Sequence, residues 1–188
     1  MSTIMPAFVR FPQEGAIIGR LLAGYGELEL GLCFCVAEAR NDHNMVFKAM
    51  FRPRGESQRI DVADAMGHEP YNAVKLGTHF EGAIGAIRYC LKIRNQYAHS
   101  YWTDNFGRCL AFAQLEEPAR GKDPVLNVGN IGTKDIDLAT LQAQESFFMH
   151  TQARFDYLKT EIKVRAGKLP ESVFEAPKPI NRPPLCKP

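Results

Sequence analysis

Two side chains in residues 91–102 (LKIRNQYAHSYW) have types that do chemistry together, Arg94 and His99. A guanidinium is a permanently charged fork that can grip two phosphate oxygens, and an imidazole can take or give a proton near neutral pH. Together they form a minimal kit for cutting RNA. One group holds the scissile phosphate and its developing charge while the other moves the proton of the 2′-hydroxyl or of the leaving oxygen. No metal is needed for this. On a regular helix, five positions turn the two side chains about 140° apart. Three arrangements therefore remain open: the arginine reaches around, the helix ends near Ala98, or a second copy of the helix completes the site. The third suits the sequence best, because an isologous two-fold interface would bring two arginines and two histidines into one cleft. A homodimer is expected on that ground.

Beside the pair, Arg88, Lys92, Asn95 and His99 recur in steps of four, three and four, a polar and mostly basic stripe suited to an RNA backbone. Tyr97 and Tyr101, with Trp102, are aromatic residues on which unpaired bases could stack. Arg52, Arg54 and Arg59 are further cations that could extend the stripe. A structural reading of the same residues stands beside this one. Arg94 could pair with a buried carboxylate, for which Glu29 on the first long helix is the candidate. Asparagine and histidine near a helix end commonly cap carbonyls, and tyrosines and tryptophan belong more often to a core.

The elements that must position these groups are mostly helical. Over residues 15–40, apolar residues recur at Ile18, Leu21, Tyr25, Leu28, Leu32, Cys35 and Ala39, the signature of one long amphipathic helix. Asn-Asp-His at 41–43 supplies stop and restart chemistry, and a shorter helix follows until Arg52-Pro53. Residues 57–67 (SQRIDVADAMG) open on a capping serine and close on a glycine, which predicts another short helix. A second long helix is predicted from about Asn72 to His99, with Phe80, Ile84, Ile87, Leu91, Arg94 and Ala98 along one stripe. Arg94 thus stands where the pattern would ordinarily put leucine. Beyond Trp102, TDNFG reads as a turn cluster, while RCLAFAQLEE and VLNVGNIG alternate like strands around a PARGKDP loop. A two-stranded hairpin over about 108–131 is predicted, and it must lie on the helices to be stable. A third long helix starts near Asp135 or Asp137 and runs to Gly167. Residues 168–188 hold half of the chain's twelve prolines without any P-x-x-P spacing. They read as an arm docked on this or a neighbouring protomer.

The sequence therefore predicts an all-α bundle with a small hairpin inserted before the last long helix, one domain over 1–166, and a proline-rich arm over 167–188. A chain of 188 residues is long enough for one ordinary core and short for two. Its net charge of +2 neither demands nor excludes a nucleic-acid partner. The five cysteines are odd in number and lack a C-x-x-C pair, which favours reduced thiols and a cytoplasmic setting. The first residues lack the pattern of a signal peptide, and Arg20, Glu27 and Glu29 interrupt the most apolar window, which argues against a membrane span. No Gly-rich nucleotide loop, nucleophile elbow or H-E-x-x-H occurs, and the remaining histidines are scattered singly, so neither a metal nor a cofactor is expected.

The run Arg94-Asn95-Gln96-Tyr97-Ala98-His99 resembles the R-x4-6-H motif of HEPN domains, including the polar residue that follows the arginine. Continued to Tyr101, it is similar to the R-x4-H-x-Y form of HEPN toxins paired with nucleotidyltransferase antitoxins. The resemblance spans roughly residues 15–102. It implies a HEPN-like helical bundle, many of which dimerise with their motifs facing, and metal-independent RNA cleavage leaving a 2′,3′-cyclic phosphate. Arg94 and His99 would then be central and Asn95 would orient them. It also implies a role as a toxin or defence effector, an antitoxin or nucleotidyltransferase partner, and Tyr101 as a site of nucleotidylylation. The hairpin and the proline-rich arm depart from the compact toxins. The alternative is a non-catalytic HEPN-like dimeric module that binds a partner protein or nucleic acid.

Overall fold

The computed structural model of the chain describes residues 4–116 and 132–186. The described part is mostly helical with a small antiparallel sheet, the all-α class that the periodicity predicts. In chain order the elements are α1 (Pro6–Arg10), α2 (Pro12–Arg40), α3 (His43–Phe51), α4 (Glu56–Ala73), α5 (Gly77–Ala98), β1 (Ser100–Thr103), a 3-10 turn (Asn105–Gly107), β2 (Leu110–Gln114), β3 (Lys134–Ile136) and α6 (Leu138–Arg165). The chain divides into two compact units, one from the described parts of 1–23, 92–146 and 183–188, the other from 24–91 and 147–182.

In the unit of residues 24–91 and 147–182, element boundaries follow local chemistry. α2 stops where Asn41 takes a left-handed φ of 55°. The Asp42 side chain then accepts from the Met45 N–H at 2.9 Å and starts α3. α4 corrects the sequence reading, because it passes through Gly67 and Pro70 and takes in Asn72, so the second long helix starts at Gly77 instead. Gly67 is not a cap. A Cβ there would meet the Phe80 ring, 2.8 Å from Cε1, so the glycine lets the α5 aromatic lie against the α4 backbone. Pro70 lacks the N–H that would bond the Met66 carbonyl, which ordinarily breaks a helix. Here Arg40 Nε donates to that carbonyl at 2.7 Å, so the released acceptor is satisfied and the helix continues. The break comes at Lys75, with φ 61°. The core of this unit gathers Leu32, Met50, Ile60, Tyr71, Phe80 and Phe155, all fully buried.

In the other unit the sheet has, among the described residues, three strands in the order β1-β2-β3, with Trp102 opposite Phe112 and Leu110 opposite Ile136. The small antiparallel sheet agrees with the expected hairpin, whose first strand is β2, and β1 and β3 are additions to it. Ser100–Thr103, directly after the motif, is a strand that four residues are too short to announce by alternation, although Tyr, Trp and Thr favour one. The predicted strand VLNVGNIG lies, Gly132 apart, outside the described residues, as does the PARGKDP loop. Asp135 belongs to β3, whereas Asp137 caps α6, its carboxylate accepting from the Thr140 N–H at 2.6 Å. That hydrogen bond holds the Asp137 carboxyl below its ordinary range. Under the sheet, the Trp102 ring lies 5.7 Å from Tyr97, 5.2 Å from Phe112 and 5.2 Å from Phe8 of α1.

Candidate functional site

α5 carries Arg94 near its C-terminal end, and His99 is the first residue after it. Along its apolar stripe Phe80, Ile84, Ile87 and Leu91 are buried, whereas Arg94 and Ala98 are half-buried, so the stripe comes to the surface where the chemistry-bearing residue stands. α5 thus ends at Ala98, one of the three arrangements left open by the sequence, and His99 lies outside it.

The orphan carbonyls of a helix end must be satisfied, and histidine or asparagine commonly do this. In this chain Ser100 and Gln114 do this for the Gln96 carbonyl. Ser100 Oγ donates to the Gln96 carbonyl at 2.6 Å and Gln114 Nε2 donates to the same oxygen at 3.3 Å. His99 is exposed, and no hydrogen bond joins its imidazole to another described residue. Arg94 Nη1 donates to Asn95 Oδ1 at 3.0 Å, which fixes the guanidinium beside the exposed Asn95. The motif thus presents a half-buried guanidinium hydrogen-bonded to Asn95 and an exposed imidazole.

Between them, Gln96 and Tyr97 are buried. Tyr97 is 1% exposed, and its hydroxyl donates to Gln144 Oε1 at 2.7 Å. The expectation that Tyr97 stacks on bases is corrected: its ring belongs to the core with Trp102 and Phe112, and burial pushes its phenol well above the ordinary range. Gln144 Nε2 in turn donates to the Pro184 carbonyl at 2.9 Å, and the Cys186 N–H donates to Gln96 Oε1 at 2.8 Å. The end of the proline-rich arm therefore docks on its own chain and braces the motif turn from beneath. Gln96, Gln144 and Cys186 were missed by sequence reasoning. Their only signal is a polar residue, Gln144, on the stripe of α6 that also holds Leu141 and Phe148.

Other candidates divide. Tyr101 is 60% exposed on β1 and borders a cavity of about 280 Å³ with Ile4, Pro6, Ser100 and Thr103. Lys92 is exposed. Arg88 is not a free cation for an RNA backbone, since it grips Asp61 at 2.7 Å and Asp64 at 3.2 Å, which also raises its pKa. Nor is Arg59 free. It donates to Glu29 Oε2 at 2.9 Å and to the Pro53 carbonyl at 3.2 Å and lies over the Phe51 ring, so the buried Glu29 has Arg59 as a partner. Arg52 and Arg54 are exposed.

Among the described residues no group of three His, Cys, Asp or Glu side chains is placed to hold a metal ion. The cysteines are unbridged, and burial pushes the Cys33 and Cys90 thiols up to about 11 and about 12, so these two are unreactive near neutral pH. No described helix is long and apolar enough to cross a membrane. Comparison with known proteins gives no family model that matches the chain and no significant match among curated proteins or solved structures.

Proposed function

We propose that the chain is a metal-independent endoribonuclease of the HEPN type, acting as a homodimer whose paired motifs form one RNA-cleaving groove. The observation that carries this reading is the end of α5. Ser100 and Gln114 both donate to the Gln96 carbonyl there, while His99 is exposed one residue past the helix, with no hydrogen bond from its imidazole to another described residue, and Asn95 accepts from Arg94. In the proposed step, His99 takes the 2′-hydroxyl proton as that oxygen attacks the adjacent phosphorus. The P–O5′ bond breaks, the departing 5′-oxygen takes up a proton from the second His99 or from water, and a 2′,3′-cyclic phosphate remains. Arg94 holds the non-bridging oxygens as charge builds on them. Exposed Tyr101 and Lys92 are the remaining contacts for flanking nucleotides, and Tyr101 is also where a nucleotidyltransferase partner would modify the chain. A toxin or defence role goes with this activity.

Single-stranded RNA incubated with the protein in EDTA tests the proposal. Arg94→Ala and His99→Ala are expected to abolish cutting while circular dichroism and dimer mass stay unchanged. Intact RNA with the wild-type protein would refute it. A non-catalytic HEPN-like module that binds a partner protein or nucleic acid is the second reading. Neutralisation of Arg88 by Asp61 and Asp64 favours it, because the basic stripe toward the motif is weaker than the sequence suggests. That reading gains if RNA or a protein partner is retained but never cut.

A further inference from the structure

In the unit of residues 24–91 and 147–182, Arg154 is half-buried. Arg59, Arg88 and Arg165 each take a carboxylate at 2.9, 2.7 and 2.9 Å. Arg154 takes none. Its Nε donates to His150 Nε2 at 3.0 Å, so the imidazole must present an unprotonated nitrogen. Burial, with the charge of Arg154 second, lowers the His150 pKa, which keeps that acceptor available. Burial also depresses Arg154 itself. Both Nη groups are left with no acceptor among the described residues.

The guanidinium borders a cavity of about 280 Å³ with Thr78, His79, Tyr157, Leu158, Pro177 and Pro179. Gly82 makes room for it, since a Cβ at that position would lie 2.5 Å from Arg154 Nη1. The cavity is therefore two-faced. Arg154, His79 and the Thr78 hydroxyl offer donors, while Leu158 and the two prolines of the arm offer an apolar wall. The rings of His79 and Tyr157 stand 5.3 Å apart beside them. A half-buried cation without a counter-charge is costly to keep, and a fork of free N–H groups matches the oxygens of a phosphate. The volume lies near the lower end of the roughly 300–1,000 Å³ range of ligand pockets, so the ligand is small.

We propose that this cavity binds a small phosphate monoester, its phosphate held by Arg154 with His79 and Thr78 and its carbon body against Leu158, Pro177 and Pro179. The site is independent of the Arg94–His99 motif and stands whether or not RNA is cut.

Calorimetric titration of the full chain with phenyl phosphate, inorganic phosphate and benzoate tests it. Phenyl phosphate is expected to bind saturably and at least about tenfold more tightly than either of the others, since only it offers both a fork-matched anion and an apolar body. Arg154→Gln is expected to weaken binding by about tenfold or more, and His79→Ala, at an exposed position, to weaken it several-fold without changing the melting temperature of the unliganded protein. Should Arg154→Gln fail to fold, the Arg154 Nε–H resonance of the wild-type protein decides, and it is expected to shift in step with phenyl phosphate occupancy. Absence of saturable binding, equal affinity for benzoate, or an unmoved Arg154 resonance would each overturn the proposal.

Discussion

Tyr97→Phe separates a core tyrosine from a base-stacking one. The substitution keeps the ring, and with it the contacts to Trp102 and Phe112, and removes only the hydroxyl that donates to Gln144 Oε1 at 2.7 Å. Gln144 is 0% exposed, so water cannot replace the lost donor. An orphaned buried acceptor costs about 1–3 kcal/mol, more than the fraction of a kcal/mol lost in dispersion from one oxygen. For a chain of this size that corresponds to a fall in melting temperature on the order of 2–10 °C. Urea denaturation followed by circular dichroism gives the free energy directly. Adding Gln144→Met should recover part of the loss, because removing both polar partners is far less costly than removing one. Recovery is incomplete, since Gln144 Nε2 also serves the Pro184 carbonyl. RNA affinity should be unaffected. A stability change under about 0.5 kcal/mol, the scale of an ordinary surface substitution, would refute the reasoning, as would weakened RNA binding at full stability.

Four other expectations follow from particular contacts. Gly67→Ala gains about 1 kcal/mol of helix propensity but forces the Phe80 ring aside, at about 1–3 kcal/mol, so a net loss is expected in thermal denaturation. Arg59→Met removes a partner of buried Glu29 and should destabilise by about 1–3 kcal/mol, read from the denaturation midpoint, whereas exposed Arg54→Met should change little. Asp137→Ala should cost about 0.5–2 kcal/mol at neutral pH through loss of the α6 cap. The folded pKa of Asp137 lies below its unfolded value, so this contribution is present above the unfolded value and lost as pH falls through the folded one. The melting-temperature gap between wild type and Asp137→Ala should therefore close below about pH 4. Deleting residues 183–188 should raise the protease sensitivity of the α5 end, because Gln96 and Gln144 lose the Cys186 N–H and the Pro184 carbonyl.

Periodicity made the long helices legible, since α2, α5 and α6 each bury a stripe that recurs every three or four residues. The NDH restart was legible too, because an asparagine in left-handed geometry and a capping aspartate act locally. What escaped the sequence depends on distant partners. Gly67 and Pro70 read as punctuation because the Phe80 ring and the Arg40 guanidinium that explain them come from other helices. Arg94 was visible as a charge on an apolar stripe and His99 as an imidazole at a helix end. Whether that imidazole would cap carbonyls depended on Ser100 and on Gln114, which stands 18 positions from Gln96. Arg88 and Arg59 looked like part of a basic surface because aspartates and a glutamate 24 to 30 residues away are invisible to a local pattern.

The central claim, that His99 moves a proton for an RNA held by Arg94, is tested most directly by single-turnover cleavage of an end-labelled single-stranded RNA in EDTA, wild type against His99→Gln. Loss of a positioned acid–base group costs about 10²–10⁴ in rate, and glutamine keeps the polarity and approximate reach of the imidazole. The expected result is a fall of that size in the cleavage rate with RNA affinity unchanged, and a 2′,3′-cyclic phosphate on the wild-type product. A His99→Gln protein that cuts at the wild-type rate, or a wild-type protein that binds RNA and leaves it intact, would contradict the claim.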